Sequence, residues 1–379
     1  MMKIIKTSLF IFALLMVSAS CSRKLNDNSN QQEPQISLSD SYKNHFFIGA
    51  AISEDQILEK DNRSLSIVRN QYNTITPENA LKWMFLQPSP NKFEFDLADK
   101  YVEFGLNNDM HIVGHTLVWH SQLADFMNEV TDKTIMSNYV SNHINTIVKR
   151  YKGKIDTWDV VNEALNEDGT LRESIFLKTL GENYIIDAFK LAEKGDPNAE
   201  LAYNDYNLCN PKKREGALRL IENLQKENAK INAVGIQAHW KLNTPSINEI
   251  EKSIIAYAGL GVKLMFTELD ISVLPNPWEV VGAAVEQNFD KFIGDPKMNP
   301  YPERLPDSML QKQAKRYEDI FELFLKHEDK ISRITFWGVT DKTSWLNDWP
   351  IKERTNYPLL FDRNYQPKQA YQSILDLKK

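Results

Sequence analysis

Two hydrophobic periodicities alternate along most of this chain. Short runs rich in apolar and β-branched residues recur eight times, and the longer segments between them carry apolar residues at helical spacing. The eight short runs are residues 46–52, 72–76, 111–119, 157–162, 201–206, 233–239, 262–269 and 331–339. The clearest helical segments are residues 135–151, 175–192, 217–227, 247–258 and 317–326. Nearly continuous apolar strands separated by helices are typical of a parallel sheet covered on both faces, and eight such units favour a closed sheet. The sequence therefore predicts an α/β fold, a single (β/α)8 TIM barrel.

The connections between these runs narrow the choice of fold further. An open, doubly wound sheet normally carries a glycine-rich phosphate-binding turn after an early strand, and the sequence contains no such turn. The connection over residues 272–310 is rich in proline and too long for a simple link from strand to helix. Long loops after barrel strands usually lie at the active-site face, so we expect this one to form a wall of a substrate cleft.

The N-terminus has the pattern of an export signal. Lys3 and Lys6 precede a short apolar run over residues 9–17, and small residues then lead to Cys21. This order resembles a bacterial lipoprotein signal, in which the cysteine is acylated and becomes the new N-terminus. Secretion with cleavage nearby is the alternative.

Three segments follow from this pattern and from composition. Residues 1–21 are predicted to be a lipoprotein-type signal with a lipid on Cys21, and residues 22–41 a flexible polar linker. Residues 42–379 are predicted to be the catalytic barrel. We therefore expect an exported protein, anchored in the cell envelope through its N-terminal lipid or else secreted, and monomeric.

The charge distribution excludes one class of partner. The formal net charge is −6, from 45 Lys and Arg against 51 Asp and Glu, and the basic residues do not cluster. Tight nucleic-acid binding needs clustered Lys and Arg to neutralise phosphates, so we expect no nucleic-acid partner. The only cysteine besides Cys21 is Cys209, so a lipidated Cys21 leaves no disulfide.

Polar residues crowd the C-terminal ends of the predicted strands, where a barrel keeps its catalytic groups. They occur on seven of the eight strands, which a core packed for stability alone does not require. In chain order they are Glu78, Asn79, Lys82, His115, Trp119, His120, Gln122, Asn162, Glu163, Asn204, Asp205, Tyr206, Gln237, His239, Glu268, Asp270, Trp337 and Trp345.

Two of these residues have the chemistry of a glycosidase. Cleavage of a glycosidic bond needs two carboxyl groups on opposite sides of the anomeric carbon, roughly 5–5.5 Å apart when the configuration is retained. The fourth and seventh strands lie across the mouth of a barrel from one another. Glu163 and Glu268, at the ends of those strands, are therefore expected to face each other over a bound sugar.

Four segments then resemble glycoside hydrolase family 10, the endo-β-1,4-xylanases of a large clan of barrel enzymes. They are Thr76-Pro77-Glu78-Asn79-Ala80-Leu81-Lys82-Trp83, Gly114-His115-Thr116-Leu117-Val118-Trp119-His120, Trp158-Asp159-Val160-Val161-Asn162-Glu163-Ala164 and Thr267-Glu268-Leu269-Asp270-Ile271. The resemblance extends over residues 47–371. It implies an endo-acting retaining hydrolase that cleaves internal β-1,4 bonds of xylan through a covalent glycosyl-enzyme, with no cofactor and no metal.

The resemblance also implies the catalytic roles. Glu163 is expected to be the acid/base and Glu268 the nucleophile, with His239 bonded to that nucleophile and Asp270 orienting the histidine. A partly cationic imidazole would lower the pKa of the carboxylate, as a nucleophile requires. Asn162 is expected to bind the sugar 2-hydroxyl, a contact that strengthens towards the transition state.

Further residues match positions that bind xylan and xylo-oligosaccharides. The non-reducing side of the cleavage point is assigned to Glu78, Asn79, Lys82, His115, Trp119 and Gln237, with Gln122 in support. Trp337 and Trp345 correspond to the aromatic walls of the central site, where an indole near C5 admits xylose and crowds the hydroxymethyl group of glucose. Tyr206 is expected on the product side.

Several alternatives stay open at this point. A barrel enzyme of the same clan acting on cellulose or mixed-linkage glucan would share most of these residues, and Trp337 favours xylan over them. A glycan-binding protein without turnover would tolerate loss of either glutamate, and both are present. A transglycosidase would share the covalent intermediate. Zinc chemistry is disfavoured, because the histidines lie on separate strands without a zinc-binding spacing.

Overall fold

The computed structural model describes residues 37–280 and 285–378. Within them nine parallel strands form the central sheet. They are β1 (Phe47–Ile52), β2 (Thr74–Pro77), β3 (His111–Trp119), β4 (Thr157–Asn162), β5 (Glu200–Asp205), β6 (Ala233–Ile236), β7 (His239–Lys241), β8 (Lys263–Ser272) and β9 (Ile331–Phe336). Each of the eight predicted runs corresponds to a barrel strand, and the run 233–239 divides into β6 and the start of β7.

The sheet closes on itself. β1 pairs in parallel with β2 on one side and with β9 on the other, with Gly49 opposite Thr74 and Ile48 opposite Ile334. The circle continues in chain order to β6, which pairs with β8, and β8 pairs with β9. The short strand β7 extends the position of β6 and pairs only with β8. The predicted (β/α)8 barrel is thereby confirmed.

Helices connect successive strands. They are α1 (Leu38–Tyr42), α2 (Glu54–Ile57), α3 (Asn62–Gln71), α4 (Trp83–Leu86), α5 (Asp96–Asn107), α6 (Lys133–Arg150), α7 (Ile175–Leu180), α8 (Tyr184–Gly195), α9 (Pro211–Lys226), α10 (Ile247–Ala258), α11 (Asp307–Lys326) and α12 (Gln369–Asp376). The predicted helix over 175–192 is two helices, because α7 ends at Gly181, whose φ of +79° leaves the right-handed helical region. No helix in the described ranges has the length and apolar composition needed to cross a membrane.

The core lies in two layers, inside the barrel and between the barrel and its helices. Inside, small side chains pack with Met265, and Arg333 is buried, donating to the hydroxyl oxygens of Thr76 and Thr335. Outside, Phe266 stacks on Phe324 of α11 with ring centroids 4.0 Å apart. Full burial of one such side chain is worth about 1.5–3 kcal/mol, so the layer between barrel and helices contributes substantially to stability.

The packed domain begins before Tyr42, the boundary expected from the sequence. α1 begins within the predicted linker 22–41 and ends at Tyr42, with Ser37 capping it and Leu38 fully buried. The Tyr42 hydroxyl donates to the carbonyl oxygen of Ile374 at 2.6 Å, which ties α1 to α12. The large apolar residues of this segment, Leu25, Ile36 and Leu38, are too few and too scattered to give a periodic signal, so composition alone misses this helix. The signal over 1–21, including Cys21, lies outside the described residues and stays a prediction.

Candidate active site

Glu163 directly follows β4 and leaves the strand with an unusual backbone. Its φ of +58° is in the left-handed region, which costs an L-residue about 1–2 kcal/mol. Its amide donates to the carbonyl oxygen of Asn204 at 2.8 Å, and Arg172 Nε donates to the carbonyl oxygen of Glu163 at 3.0 Å. These contacts hold a backbone conformation that turns the Glu163 side chain towards Trp119 and Gln237. A regular strand conformation would direct the side chain elsewhere.

The Glu163 carboxyl group is buried, with 4% of the residue exposed. Trp119 Nε1 donates to Oε2 and Gln237 Nε2 donates to Oε1, each at 2.9 Å. Burial raises the pKa of Glu163 and the negative charge of Asp205 adds to it. Together they outweigh the charge of His120 and the two hydrogen-bond donors, which lower that pKa. Glu163 therefore holds its proton to higher pH than an ordinary glutamate.

Glu268 lies on β8 in an equally buried but differently charged environment, with 5% of the residue exposed. Asn204 Nδ2 donates to its Oε1 at 2.8 Å, and His239 Nε2 lies 3.1 Å from its Oε2. Burial pushes the pKa of Glu268 upward, but the hydrogen bond from His239 and the charges of His115 and His239 outweigh it, so the pKa is lowered. Glu268 is therefore ionised at a pH at which Glu163 still holds its proton.

His239 connects this anion to a second carboxylate. Its Nδ1 lies 2.8 Å from Asp270 Oδ2, which also accepts from Trp345 Nε1 at 2.9 Å. Burial lowers the pKa of His239, but Asp270 and Glu268 together raise it to about 10, so the imidazolium donates from both ring nitrogens. The preceding Ala238 has a φ of +64°, which breaks the strand between β6 and β7 and aims the imidazole at Glu268.

Both glutamates line one cleft at the C-terminal ends of the strands, with a volume of about 440 Å³. The sequence-predicted residues that line it are Glu78, Asn79, Lys82, His115, Trp119, Gln122, Asn162, Glu163, Gln237, His239, Glu268, Trp337 and Trp345. Ser121, Val285 and Glu286 complete its wall. The last two belong to the long connection after β8, as expected for the segment 272–310.

One end of the cleft is a buried polar cluster. Lys82 Nζ donates to Gln122 Oε1 at 2.8 Å and to Asn79 Oδ1 at 3.1 Å. Burial lowers the pKa of Lys82 to about 8 and raises that of Glu78 to about 7, although each is partly offset by the other's charge. Such a cluster offers closely spaced donors and acceptors, which suits sugar hydroxyl groups.

Indole rings form another part of the cleft wall. The ring of Trp337 meets His115 edge to face at 5.4 Å, and Trp345 lies 4.9 Å from His239. Trp345 is itself stacked on Trp349 at 4.6 Å, so its orientation is fixed by packing as well as by its bond to Asp270. The cleft that holds the two carboxylates therefore has both polar and aromatic lining residues.

Asp270 and Tyr206 are not among the residues that line this cleft. Asp270 contacts His239, the residue that it is predicted to orient, and this role stays a prediction. Tyr206 is buried, and its hydroxyl accepts a hydrogen bond at 2.6 Å from Nη2 of Arg172, the arginine that also donates to the Glu163 carbonyl oxygen. The assignment of Tyr206 to substrate stays a prediction without a lining contact to support it.

Sequence reasoning gave no role to two residues that organise the site. Asn204 donates to both Asn162 Oδ1, at 2.9 Å, and Glu268 Oε1, and its own oxygen accepts from Thr267 Oγ1 at 2.6 Å. Its position at a strand end was a usable signal. Arg172 lies in the loop after β4, where nothing in its local sequence marks it.

The arrangement defines a class of enzyme. A glycoside hydrolase uses two carboxyl groups on one cleft, an acid with a raised pKa and a nucleophile with a lowered pKa. Glu163 and Glu268 have this arrangement. Its place at the C-terminal ends of barrel strands is the usual place for catalytic groups in this fold.

Comparison with known proteins identifies the family. The chain matches the model of glycosyl hydrolase family 10 over residues 37–377. It is 38% identical over 349 residues to endo-1,4-beta-xylanase A of Xylanibacter ruminicola, covering 90% of this chain and 94% of that one. A solved GH10 endoxylanase from a sugarcane soil metagenome is 44% identical, with a TM-score of 0.85 over 91% of this chain and 100% of that one. Xylanase 10B from Thermotoga petrophila, solved with xylobiose, is 31% identical, with a TM-score of 0.79 over 91% and 97%. The chain belongs to glycosyl hydrolase family 10, which confirms the predicted resemblance.

Proposed function

We propose that this protein is an endo-1,4-β-xylanase that cleaves internal bonds of xylan with retention of configuration. The observation that carries the proposal is the pair Glu163 and Glu268, buried on one cleft with pKa values shifted in opposite directions. Similarity to family 10 endoxylanases over nine-tenths of the chain supports the substrate, as does the xylobiose complex of one such enzyme.

In the first step Glu268 attacks C1 of the sugar at the cleavage point. The glycosidic C–O bond breaks, its electron pair goes to the leaving oxygen, and Glu163 gives its proton to that oxygen. The anion is available because His239 and Asn204 stabilise it. Asn162, whose oxygen is held by Asn204 Nδ2, is positioned to bind the 2-hydroxyl group of the same sugar.

In the second step water replaces the enzyme at C1. Glu163, now ionised, accepts a proton from water, the hydroxide oxygen bonds to C1, and Glu268 leaves as a carboxylate. Two inversions give net retention. Esterification of Glu268 removes a nearby negative charge, which lowers the pKa of Glu163 and suits its second role as a base.

The aromatic wall accounts for the choice of sugar. Xylose has no hydroxymethyl group at C5, so an indole close to that carbon admits xylose and meets glucose with a steric clash. Trp345 is fixed by its stacking on Trp349 and by its bond to Asp270, and Trp337 packs edge to face against His115. Neither ring therefore has much freedom to move aside.

The proposal is tested by measuring reducing ends released from β-1,4-xylan and from carboxymethylcellulose, with the products sized and their first-formed anomer read by proton NMR. We expect short xylo-oligosaccharides with β configuration and little action on the cellulose. Preference for the glucan would indicate a glucanase of the same clan. Binding without turnover would indicate a glycan-binding protein, and elongated products would indicate a transglycosidase.

The role of His239 predicts a pH effect. Because His239 lowers the pKa of Glu268, its replacement in His239→Asn raises that pKa, and Glu268 is protonated over more of the acidic range. The acid limb of the kcat/KM profile should therefore move to higher pH, besides a general fall in rate. His45→Asn, which removes an imidazole paired with Glu328 away from the cleft, should leave the limb in place. An unmoved acid limb in His239→Asn would contradict this role.

The role of Arg172 predicts a loss of rate with little loss of binding. Arg172→Leu removes the donors to the Glu163 carbonyl oxygen and the Tyr206 hydroxyl, so the acid/base loses the support of its left-handed backbone. We expect kcat on xylan to fall by about 10- to 100-fold with KM nearly unchanged, because small displacements of a catalytic group are costly. Arg172→Lys should recover part of the rate. A rise in KM at constant kcat would mean that Arg172 serves binding instead.

A further inference from the structure

A layer of inward-facing side chains lies inside the barrel beneath the cleft. Asp159 of β4 pairs in register with Ala202 of β5, and Met265 of β8 pairs in register with Arg333 of β9. Residues in register on neighbouring parallel strands point to the same side of the sheet, and Ala202, Ala233 and Met265 pack together there. Because β4 and β9 are the fourth and eighth strands of the barrel, Asp159 and Arg333 face each other across its interior. The small alanines leave room between them.

Arg333 is a buried cation that touches no carboxylate in the described part of the chain, with 1% of the residue exposed. Nη1 donates to Thr335 Oγ1 at 2.9 Å, and Nη2 lies 3.3 Å from the sulfur of Met265. Nε is buried without a partner among the described residues. Burial lowers the pKa of Arg333, and the negative charges of Asp159 and then Glu200 oppose that shift. A buried guanidinium of this kind is costly unless a carboxylate balances it.

Asp159 is the carboxylate with the matching need. Only 1% of the residue is exposed, Oδ2 lies 2.9 Å from Nδ1 of His115, and Oδ1 is buried without a partner among the residues that the structure describes. Glu200, the other carboxylate whose charge acts on Arg333, is only partly buried and accepts from the hydroxyl group of Thr157 at 3.0 Å. The charge of Arg333 is therefore needed chiefly by Asp159, whose side chain bonds to His115.

His115 connects this buried pair to the cleft. The histidine lies on β3 and lines the cleft together with the two glutamates. Since Nδ1 is engaged by Asp159, Nε2 is the ring nitrogen left for a bound sugar. An ionised carboxylate that accepts from Nδ1 fixes both the orientation of the ring and the nitrogen that carries the proton. A buried carboxylate without a balancing charge would take up a proton or turn away, and the ring would lose that support.

We propose that Arg333 is a positioning residue for His115. Its charge stabilises the Asp159 carboxylate inside the barrel, and that carboxylate holds the His115 ring in the orientation and tautomer that meet the sugar. The inference rests on the proposed function, since only a chain bound in the cleft makes contact with His115. Arg333 is not among the residues that line the cleft, so it affects cleavage without touching the substrate.

A double-mutant cycle tests whether Arg333 acts through His115. Arg333→Met removes the charge and keeps an unbranched side chain, and we expect kcat/KM on xylohexaose to fall by about tenfold, because small displacements at a site are costly. In a His115→Ala background the same change should cost less than about twofold, since the group that carries the effect is absent. Arg333→Lys, which keeps the charge that balances Asp159, should stay within about threefold of the wild type.

The ring nitrogens of His115 give a second readout, by nitrogen NMR of protein with isotope-labelled histidine. His115→Ala identifies the His115 signals among those of the seven histidines. Arg333→Met should move these signals and leave those of His45, which pairs with Glu328 away from the cleft. If Arg333→Met does not fold, Thr335→Val is the milder variant, because it leaves the arginine in place and removes an acceptor of Nη1. It should move the same signals.

Controls separate this inference from a loss of folding and from the proposed function. Arg316→Met removes another buried arginine with an unpaired Nε, on α11 outside the barrel, and should keep kcat/KM within about twofold of the wild type. Equal losses from Arg333→Met in both backgrounds, unmoved His115 signals, or no rescue by Arg333→Lys would each overturn the inference while xylan cleavage stands. Failure of the wild type to cleave xylohexaose overturns the proposed function itself.

Discussion

Replacing Glu268 with alanine is expected to lower kcat on xylan by at least about 10⁴-fold, because no other group can form the covalent intermediate. The anion that His239 and Asn204 stabilise would be absent, and a cavity would stand where C1 is attacked. The measurement is release of reducing ends from β-1,4-xylan at saturating substrate. Glu322→Ala, which removes an exposed carboxylate on α11, is the matched control and should retain full activity.

A small anion distinguishes loss of the nucleophile from loss of the fold. Azide can enter the space left by Glu268→Ala and attack an activated aryl xylobioside from the same face, giving a glycosyl azide of inverted configuration. Recovery of turnover with that product is the expected result. Near wild-type hydrolysis of xylan by the variant would show that another residue forms the bond to C1.

Replacing Glu163 with glutamine is expected to lower kcat/KM most for substrates whose leaving group must be protonated. Without its proton donor, the enzyme should lose about 10²- to 10⁴-fold in kcat/KM on xylan, the usual contribution of a general acid. A dinitrophenyl xylobioside, whose leaving group needs no proton, should lose less than about tenfold in kcat/KM. The comparison of the two substrates is the measurement.

The pH profile of Glu163→Gln provides the second readout. The wild type should lose kcat/KM on xylan as pH rises through the raised pKa of Glu163, since the deprotonated carboxyl no longer donates. On the aryl substrate the variant should lack this alkaline limb. Equal losses on both substrates, with the limb retained, would assign the acid to another group.

The sequence predicted the barrel because its strands are buried on both faces and its helices on one, and both patterns are periodic. The same patterns revealed Glu163 and Glu268, because polar side chains at the strand ends interrupt an otherwise apolar sequence. The break between α7 and α8 and the helix around Leu38 were missed, because each depends on one residue, Gly181 or Leu38, within an ambiguous segment.

The organising contacts were harder to foresee than the catalytic groups. Arg172 reaches Glu163 and Tyr206 from an irregular loop, so its role depends on the path of the chain and not on any spacing. The same path accounts for Tyr206, which stands at a strand end like its neighbours but bonds to Arg172 and does not line the cleft. Strand position predicts which end of the barrel a side chain occupies, but not which side of a catalytic group it packs against.

The left-handed backbone at Glu163 also bears on the history of such a chain. A lineage drifting under selection for folding alone would gain by placing glycine or asparagine at this position, since either adopts the conformation at less cost. Natural proteins are only slightly more stable than they need to be, so selection acts on a loss of stability as large as the one that this backbone conformation causes. Glutamate at this position therefore lowers stability for the sake of its carboxyl group, and chains released from selection for turnover should lose it early.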